Sequence, residues 1–169
     1  NVDPSLDLTN RFLEINEGDV LDLSDLGVFD DPGFNSRNNP NGASVENFHY
    51  SIDWGDGTLT ENNQAPASVI NGSQGVKTTG TLADSHRYLD NDSDNLYTIT
   101  VTLVDDDGGS DTEQIQVRVL NVNPTLDPLV ATDVTTQGIA TVTVTFDDPG
   151  NDQFIVHIDW GDTKPDAVF

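Results

Sequence analysis

The sequence contains no cysteine and no methionine, only 6 basic residues and 7% aromatic residues, and it has no long apolar run. Without cysteine there is no disulfide framework, no thiol nucleophile and no cysteine-based zinc site. Six basic against 30 acidic side chains leave a formal net charge of −24 over 169 residues. A phosphate backbone repels such a surface, which excludes nucleic acid as a partner and disfavours a bare anionic membrane on the same ground. No apolar stretch approaches the roughly 20 residues of a membrane-spanning helix, so direct membrane insertion is not expected. Low hydrophobicity with high charge is also the signature of disorder. The alternating runs described below argue instead for a folded core under an acidic exterior. The chain starts at Asn1, with no initiator methionine, signal peptide or tag-like tract, and reads as a piece of a larger protein.

The acid that is present is unevenly divided, 25 Asp against 5 Glu. Glu favours helices, whereas Asp and Asn favour caps and turns. With 14 Gly and 8 Pro added, the composition is that of many loops carrying short carboxylates. Such groups are what hard cations bind. A halophilic origin also accounts for acidity, but that would spread Asp and Glu over faces; here Asp clusters at turns.

Three motifs recur in one order. Asn1-Val-Asp-Pro4 returns as Asn121-Val-Asn-Pro124, an offset of 120. Phe29-Asp-Asp-Pro-Gly33 returns as Phe146-Asp-Asp-Pro-Gly150, an offset of 117, and Ile52-Asp-Trp-Gly-Asp56 returns as Ile158-Asp-Trp-Gly-Asp162, an offset of 106. Three short matches in register are a strong repeat signal. The first copy spans 1–120 and the second begins at 121, running to Phe169. The shrinking offset marks an insert in the first copy around Asn35–Asn47, rich in turn residues. The second copy holds about three strands of a seven-strand unit, as expected from such folds. Either the boundary of the piece falls there, or something else completes the unit.

The strands are legible by alternation. Tyr97, Ile99, Val101 and Leu103 alternate with Thr; Ile115, Val117 and Val119 alternate with polar residues; Tyr50, Ile52 and Trp54 alternate with Ser51 and Asp53. In the second copy Ala140, Val142, Val144 and Phe146 alternate with Thr. Phe12–Glu17 and Asp19–Leu23 are two earlier strands. These period-two patterns have one apolar face and many β-branched residues, and no segment sustains a helical period. Asp105-Asp-Asp-Gly-Gly109 between two of them predicts a hairpin turn. The fold class expected is all-β, an antiparallel immunoglobulin-like β-sandwich followed by the front half of a second one.

These residues together resemble the PKD (polycystic kidney disease) repeat, a tandem immunoglobulin-like module. The resemblance rests on Trp54-Gly-Asp-Gly57, His86-Arg-Tyr88, the Tyr97–Thr102 strand, Asp105–Gly109 and the Asn-Val-x-Pro linker. It covers the first copy and the front of the second. Departures are the Asn35–Asn47 insert, the long Glu61–Leu82 stretch, the acidic Asp90–Asn95 loop, and Thr163 where the first copy has Gly57. The resemblance implies an extracellular or cell-surface protein, often bacterial, in which such modules act as spacers, adhesive stalks or companions of secreted hydrolases. It also implies calcium bound near the linker between modules.

Candidate metal ligands follow. Asp90, Asp92 and Asp94 form an Asp-x-Asp-x-Asp run like the first half of a calcium loop, although Asn95 stands where a glycine would be and no Glu closes it. A solvated acidic turn is the equal alternative. Asp105, Asp106 and Asp107 repel one another unless a cation joins them. If the chain folds as the PKD resemblance implies, Asp30 and Asp31 of the Asp-Asp-Pro-Gly turn and Asn121 and Asn123 of the linker are expected near that end of the sandwich, where Ca²⁺ would stiffen the joint. The alternative is an acidic turn that guards strand edges against aggregation. Trp54 and Trp160 are expected in the core, not on the surface as sugar platforms. Asp53 and Asp159 then face outward, Asp56 and Asp162 shape their turns, and His86 and Tyr88 form a corner that bonds the backbone. His49 and His157 have no neighbours that complete a zinc set.

Carboxylate pairs are too abundant to indicate a glycosidase, and no nucleophile elbow, zinc helix or phosphate loop is present, so no enzymatic activity is expected. The reading is a structural or adhesive spacer whose partners are neighbouring repeats, with Pro limiting bending at the linkers. One alternative is recognition of a glycan or protein through the Asn35–Asn47 or Glu61–Leu82 loops. Another is self-assembly into filaments by β-strand addition at the second copy.

Overall fold

The computed structural model describes every residue except Asn1, 39–41, Asp133, Thr135, Gln137, Asp162, Lys164 and Asp166, and the side chain of Ala167. The Asn1 end of the first linker motif, the tip of the insert and the turn role expected of Asp162 therefore lie outside the described residues. The chain divides into two compact units, Asn1–Asn121 and Val122–Phe169.

The first unit is a two-sheet β-sandwich. One sheet orders β1 (Ser5–Leu8), β3 (Val20–Asp31), β7 (Thr78–Arg87) and β6 (Ser68–Ile70) as β1-β3-β7-β6. The other orders β2 (Phe12–Asn16), β9 (Ser110–Leu120), β8 (Leu96–Asp105), β4 (Phe48–Asp53) and β5 (Glu61–Gln64) as β2-β9-β8-β4-β5. This is an immunoglobulin-like all-β arrangement, with one departure from a purely antiparallel sandwich: β2 pairs parallel to β9, Leu13 opposite Val117 and Ile15 opposite Val119. The cause lies in the first segment. β1 pairs with β3, the chain crosses at Thr9–Arg11 to the other sheet, and β2 continues in the same direction beside β9. Thr9 N–H donates to the Leu26 carbonyl, the Arg11 carbonyl accepts from Gln116 N–H, and Arg11 pairs with Glu113.

The alternation read from the sequence is the alternation of burial. Ile99, Val101 and Leu103 on β8 and Ile115, Val117 and Val119 on β9 are buried, as are Tyr50 and Ile52 on β4. Each such side chain contributes roughly 1.5–3 kcal/mol relative to exposure. The strand expected at Asp19–Leu23 is longer: β3 continues to Asp31 through a bulge between Leu23 and Gly27, where Leu26 is buried. Ser24 and Asp25 interrupt its sequence pattern because they occupy that bulge. The Glu61–Leu82 stretch is not one loop but β5, β6 and the start of β7.

Among its described residues the second unit forms three two-stranded ladders: β10 (Thr125–Leu126) with β13 (Phe146–Asp147), β11 (Val130–Ala131) with β12 (Val142–Thr143), and β14 (His157–Ile158) with β15 (Ala167–Val168). The single strand expected across Ala140–Phe146 is thus split into β12 and β13. The repeat is structural as well as sequential. Leu126 faces Phe146 and Thr125 faces Asp147, just as Leu6 faces Phe29 and Ser5 faces Asp30. Ile158 faces Ala167, as Ile52 faces Glu61.

Candidate functional site

The β8–β9 hairpin, the end of β3 and the approach to β4 bring acidic side chains to one end of the first sandwich. The hairpin forms as the Asp105-Asp-Asp-Gly-Gly109 sequence requires. Asp105 N–H donates to the Gly109 carbonyl at 3.0 Å, and buried Asp105 Oδ1 accepts from Gly109 N–H at 2.7 Å. Asp106 and Asp107 are exposed, and Asp106 Oδ1 accepts from Asn47 N–H at 3.0 Å. Asp30 and Asp31 part company because they are neighbours on a strand. Asp30 points outward and pairs with Lys77, while Asp31 points inward and is only 2% exposed.

Asp31 is the unusual member. Its Oδ1 accepts from Gly33 N–H at 2.5 Å, but its buried Oδ2 accepts no hydrogen bond from any described residue. Burial raises its pKa above the usual range. The Gly33 N–H opposes that, Asp105 and Asp30 add to it, and Lys77 partly offsets it. Glu46 joins the group although nothing in the sequence pattern singles it out. Its carboxyl is raised by burial and then by Asp106, Asp31, Asp107 and Asp105. Gly33 lies so close that a Cβ there would sit 2.6 Å from Glu46 Cδ and 2.7 Å from Asp31 Oδ1. A cavity of about 270 Å³ is lined by Val2, Asp31, Pro32, Gly33, Glu46 and Asp107. Among the described residues, no three of these carboxylates bring oxygens within 4.8 Å of one another. The same turn recurs in the second unit, where Asp148 Oδ1 accepts from Gly150 N–H at 2.8 Å and buried Asp148 Oδ2 is again without a hydrogen bond.

The linker asparagines are not part of this group. β9 is 11 residues long, and at about 3.4 Å per residue it separates its two ends by roughly 34 Å. Asn121 follows the far end of β9, beside Glu17, whose N–H donates to the Leu120 carbonyl. Asn123 follows two residues later, a reach of at most about 7 Å. The expectation that Asn121 and Asn123 lie near Asp105–Asp107 is therefore overturned. It is the entering segment at Val2 that adjoins the acidic end.

The Asp-x-Asp-x-Asp run forms the β7–β8 loop at the far end and does not converge. Asp92 Oδ1 caps Ser93 N–H at 2.6 Å and Asp94 Oδ1 caps Leu96 N–H at 3.0 Å, both on exposed residues. Only Asp90 is half-buried, with an oxygen within 4.8 Å of one from buried Glu17. Glu17 was legible: it continues the inward Leu13, Ile15 alternation, so a charge was aimed at the core.

The Trp-Gly-Asp turn and the His-x-Tyr corner meet. Tyr88 donates its hydroxyl to the Trp54 carbonyl at 2.9 Å, and Trp54 stacks on His86 with centroids 4.6 Å apart. His86 Nε2 lies 2.7 Å from Asp56 Oδ2. Burial alone would raise the Asp56 carboxyl, but hydrogen bonds from Thr58 and His86 hold it below the usual range. The corner is structural, and Tyr88→Phe, which orphans a buried carbonyl, is expected to cost about 1–3 kcal/mol in chemical unfolding. Trp54 is 1% exposed, a core residue as expected; Trp160 is 48% exposed, contrary to expectation, because no described strand of the second unit covers it. Asp53 and Asp159 face outward or stay exposed, and each caps the glycine two residues on, Gly55 at 2.9 Å and Gly161 at 2.8 Å.

No protein-family model, curated protein or solved structure matches the chain. No described helix is long and apolar enough to cross a membrane.

Proposed function

We propose that the chain is a structural spacer built from tandem PKD-type modules of an extracellular or cell-surface protein, with Ca²⁺ stiffening the entry end of the module. The observation that carries the spacer reading is the repeated register, Leu6 opposite Phe29 and Leu126 opposite Phe146. One strand-pairing plan used twice in one chain is the organisation of a repeat array. The calcium reading rests on Asp31 Oδ2, buried without a hydrogen bond among the described residues, with burial and the carboxylates of Asp105 and Asp30 raising its pKa and Lys77 only partly offsetting them. A hard cation suits such donors. Asp31, Glu46 and Asp105–Asp107 would hold it, and its charge would offset their repulsion.

The test is thermal unfolding in EDTA and across a calcium titration at fixed ionic strength. Calcium at a hundredfold over its Kd stabilises the folded state by about 2.7 kcal/mol. For the first unit that is a rise of roughly 10 °C in melting temperature. An equal rise with magnesium or sodium assigns the response to screening of the −24 charge and removes calcium from the reading.

A second reading, recognition of a glycan or protein, is favoured by the insert. The two flanks of the insert are bridged, with Ser36 N–H donating to the Ser44 carbonyl at 3.1 Å and the reverse bond at 2.9 Å. A concavity of about 710 Å³ beside it is lined by Phe34, Ser36, Asn38, Ser44 and Glu46, among others. Binding to a glycan array that is lost when residues 35–47 are shortened would support it; no hit for either form would reject a glycan as the ligand.

A further inference from the structure

The second unit carries core-type side chains that face an open apolar groove. At the offsets of the repeat, Leu126, Phe146, Phe154, Ile158 and Trp160 are the counterparts of Leu6, Phe29, Phe48, Ile52 and Trp54. Their internal geometry is preserved. Phe146 and Phe154 have ring centroids 4.5 Å apart and tilted by 58°, against 4.8 Å and 48° for Phe29 and Phe48. Their burial is not. Leu6 is 4% exposed and Trp54 1%, whereas Leu126 is 65% and Trp160 48%. Leu126, Phe146, Phe154 and Ile158 line an apolar groove of about 430 Å³, with Val142, Val144 and Asp159 also among its walls, and Trp160 directly follows Asp159 in the chain.

The strand ladders of the first unit say what would fit there. In the first unit β4 lies between β5 and β8, and β3 lies between β1 and β7. In the second, β14 has its β5 counterpart, β15, and β13 has its β1 counterpart, β10; among the described residues neither has a partner on its other side. On β4 that other side is taken by β8, Tyr50 opposite Leu103 and Ile52 opposite Val101, and β8 is followed by β9. The unpartnered edge at 154–159 and the groove behind it thus match one chemical object: an antiparallel hairpin whose strands alternate aliphatic with Thr or other polar side chains. An edge of this kind supplies backbone pairing, and the groove supplies pockets for alternate side chains.

We propose that the second unit is an acceptor for a hairpin of the β8–β9 type, which pairs antiparallel to residues 154–159 with a Val101-like side chain opposite Ile158 and a Leu103-like one opposite Val156. The proposal stands on the internal register and not on the calcium reading.

The test adds a peptide of residues 96–120 to the full chain and follows Trp160, isolated as the difference between the native chain and Trp160→Phe. The expected result is a saturable one-to-one blue shift and a several-fold fall in acrylamide quenching of Trp160, toward that of buried Trp54. Ile158→Asp should abolish both without moving the melting temperature of the first unit. The same hairpin joined to the chain through a flexible linker, which raises its effective concentration to the millimolar range, should bury Trp160 even if the free peptide folds poorly. A tethered hairpin that leaves Trp160 quenchable overturns the proposal. So does a chain that buries Trp160 by dimerising through this face while ignoring the hairpin, which would make a second copy the occupant.

Discussion

Gly55→Ala is expected to cost about 2–5 kcal/mol, whereas Gly57→Ala, two residues away in the same turn, should cost only about 1–2. Both glycines have positive φ, 78° and 83°, so each substitution carries the left-handed penalty for a residue with a Cβ. Only Gly55 meets a wall. A Cβ there would stand 2.5 Å from the Thr98 carbonyl oxygen and 3.1 Å from its backbone N and C, whereas Gly57 faces open space. Thr98 cannot retreat cheaply, because β8 is held on one side by β9, Thr98 opposite Gln116, and on the other by β4 up to Asp53 opposite Thr100. Against a typical stability of roughly 5–15 kcal/mol the first loss is severe. Urea unfolding of both variants measures it, through a lowered midpoint at unchanged slope. Equal losses at the two positions would mean that the close approach of β8 to the turn is wrong. Gly161, the counterpart of Gly55, has φ 70° but nothing within 4 Å of a Cβ. Gly161→Ala should therefore behave like Gly57→Ala in the chain alone and weaken capture of a β8-type hairpin.

The sandwich was readable wherever burial is written as period two. Tyr97–Leu103 and Ile115–Val119 are central strands with an apolar inner face and a polar outer one, and nothing in their tertiary setting contradicts that pattern. β7 was hidden for a physical reason: its inward positions are Thr78, Gly80 and Leu82, so a single aliphatic residue marks the face. β3 was halved by its bulge. At the acidic end, the Asp triplet and the Asp-Asp-Pro-Gly motif announced carboxylates on turns, but the sequence cannot say which member of a neighbouring pair points inward. The strand phase decides that, sending Asp31 in and Asp30 out to Lys77. Glu46 has no pattern at all, since it precedes β4 at the end of the insert. The resemblance sets Asn121 and Asn123 beside the acidic end, and the structure does not, because the same motif stands at both boundaries of the module. The same motif at Val2 enters the acidic end, and at Asn121 it leaves the opposite one.

Asp31→Asn should change stability in opposite directions with and without calcium. In EDTA at neutral pH the variant should be the more stable. The native carboxylate is buried and faces Asp105 and Glu46, and Asn removes that charge while its side-chain oxygen can still accept from Gly33 N–H. The pH dependence fixes the sign. The folded-state pKa of Asp31 lies above its ordinary 3.8. Between the two values the native state holds a proton that the unfolded state has lost, so native stability falls as pH rises through that window. Below 3.8 both states are protonated, the penalty vanishes, and the advantage of Asn over Asp should close. Asp56 works the other way, its lowered pKa adding stability that is lost in acid, but it is common to both proteins and cancels in the difference. In calcium at a hundredfold over Kd the native chain should gain about 2.7 kcal/mol and the variant little, reversing their order. Paired melting curves in EDTA and calcium, at neutral pH and near pH 4, measure all four corners of this comparison. A variant that keeps the full calcium response takes Asp31 out of the site. A variant no more stable than native in EDTA would mean that the orphaned Oδ2 carries no electrostatic penalty for an ion to relieve.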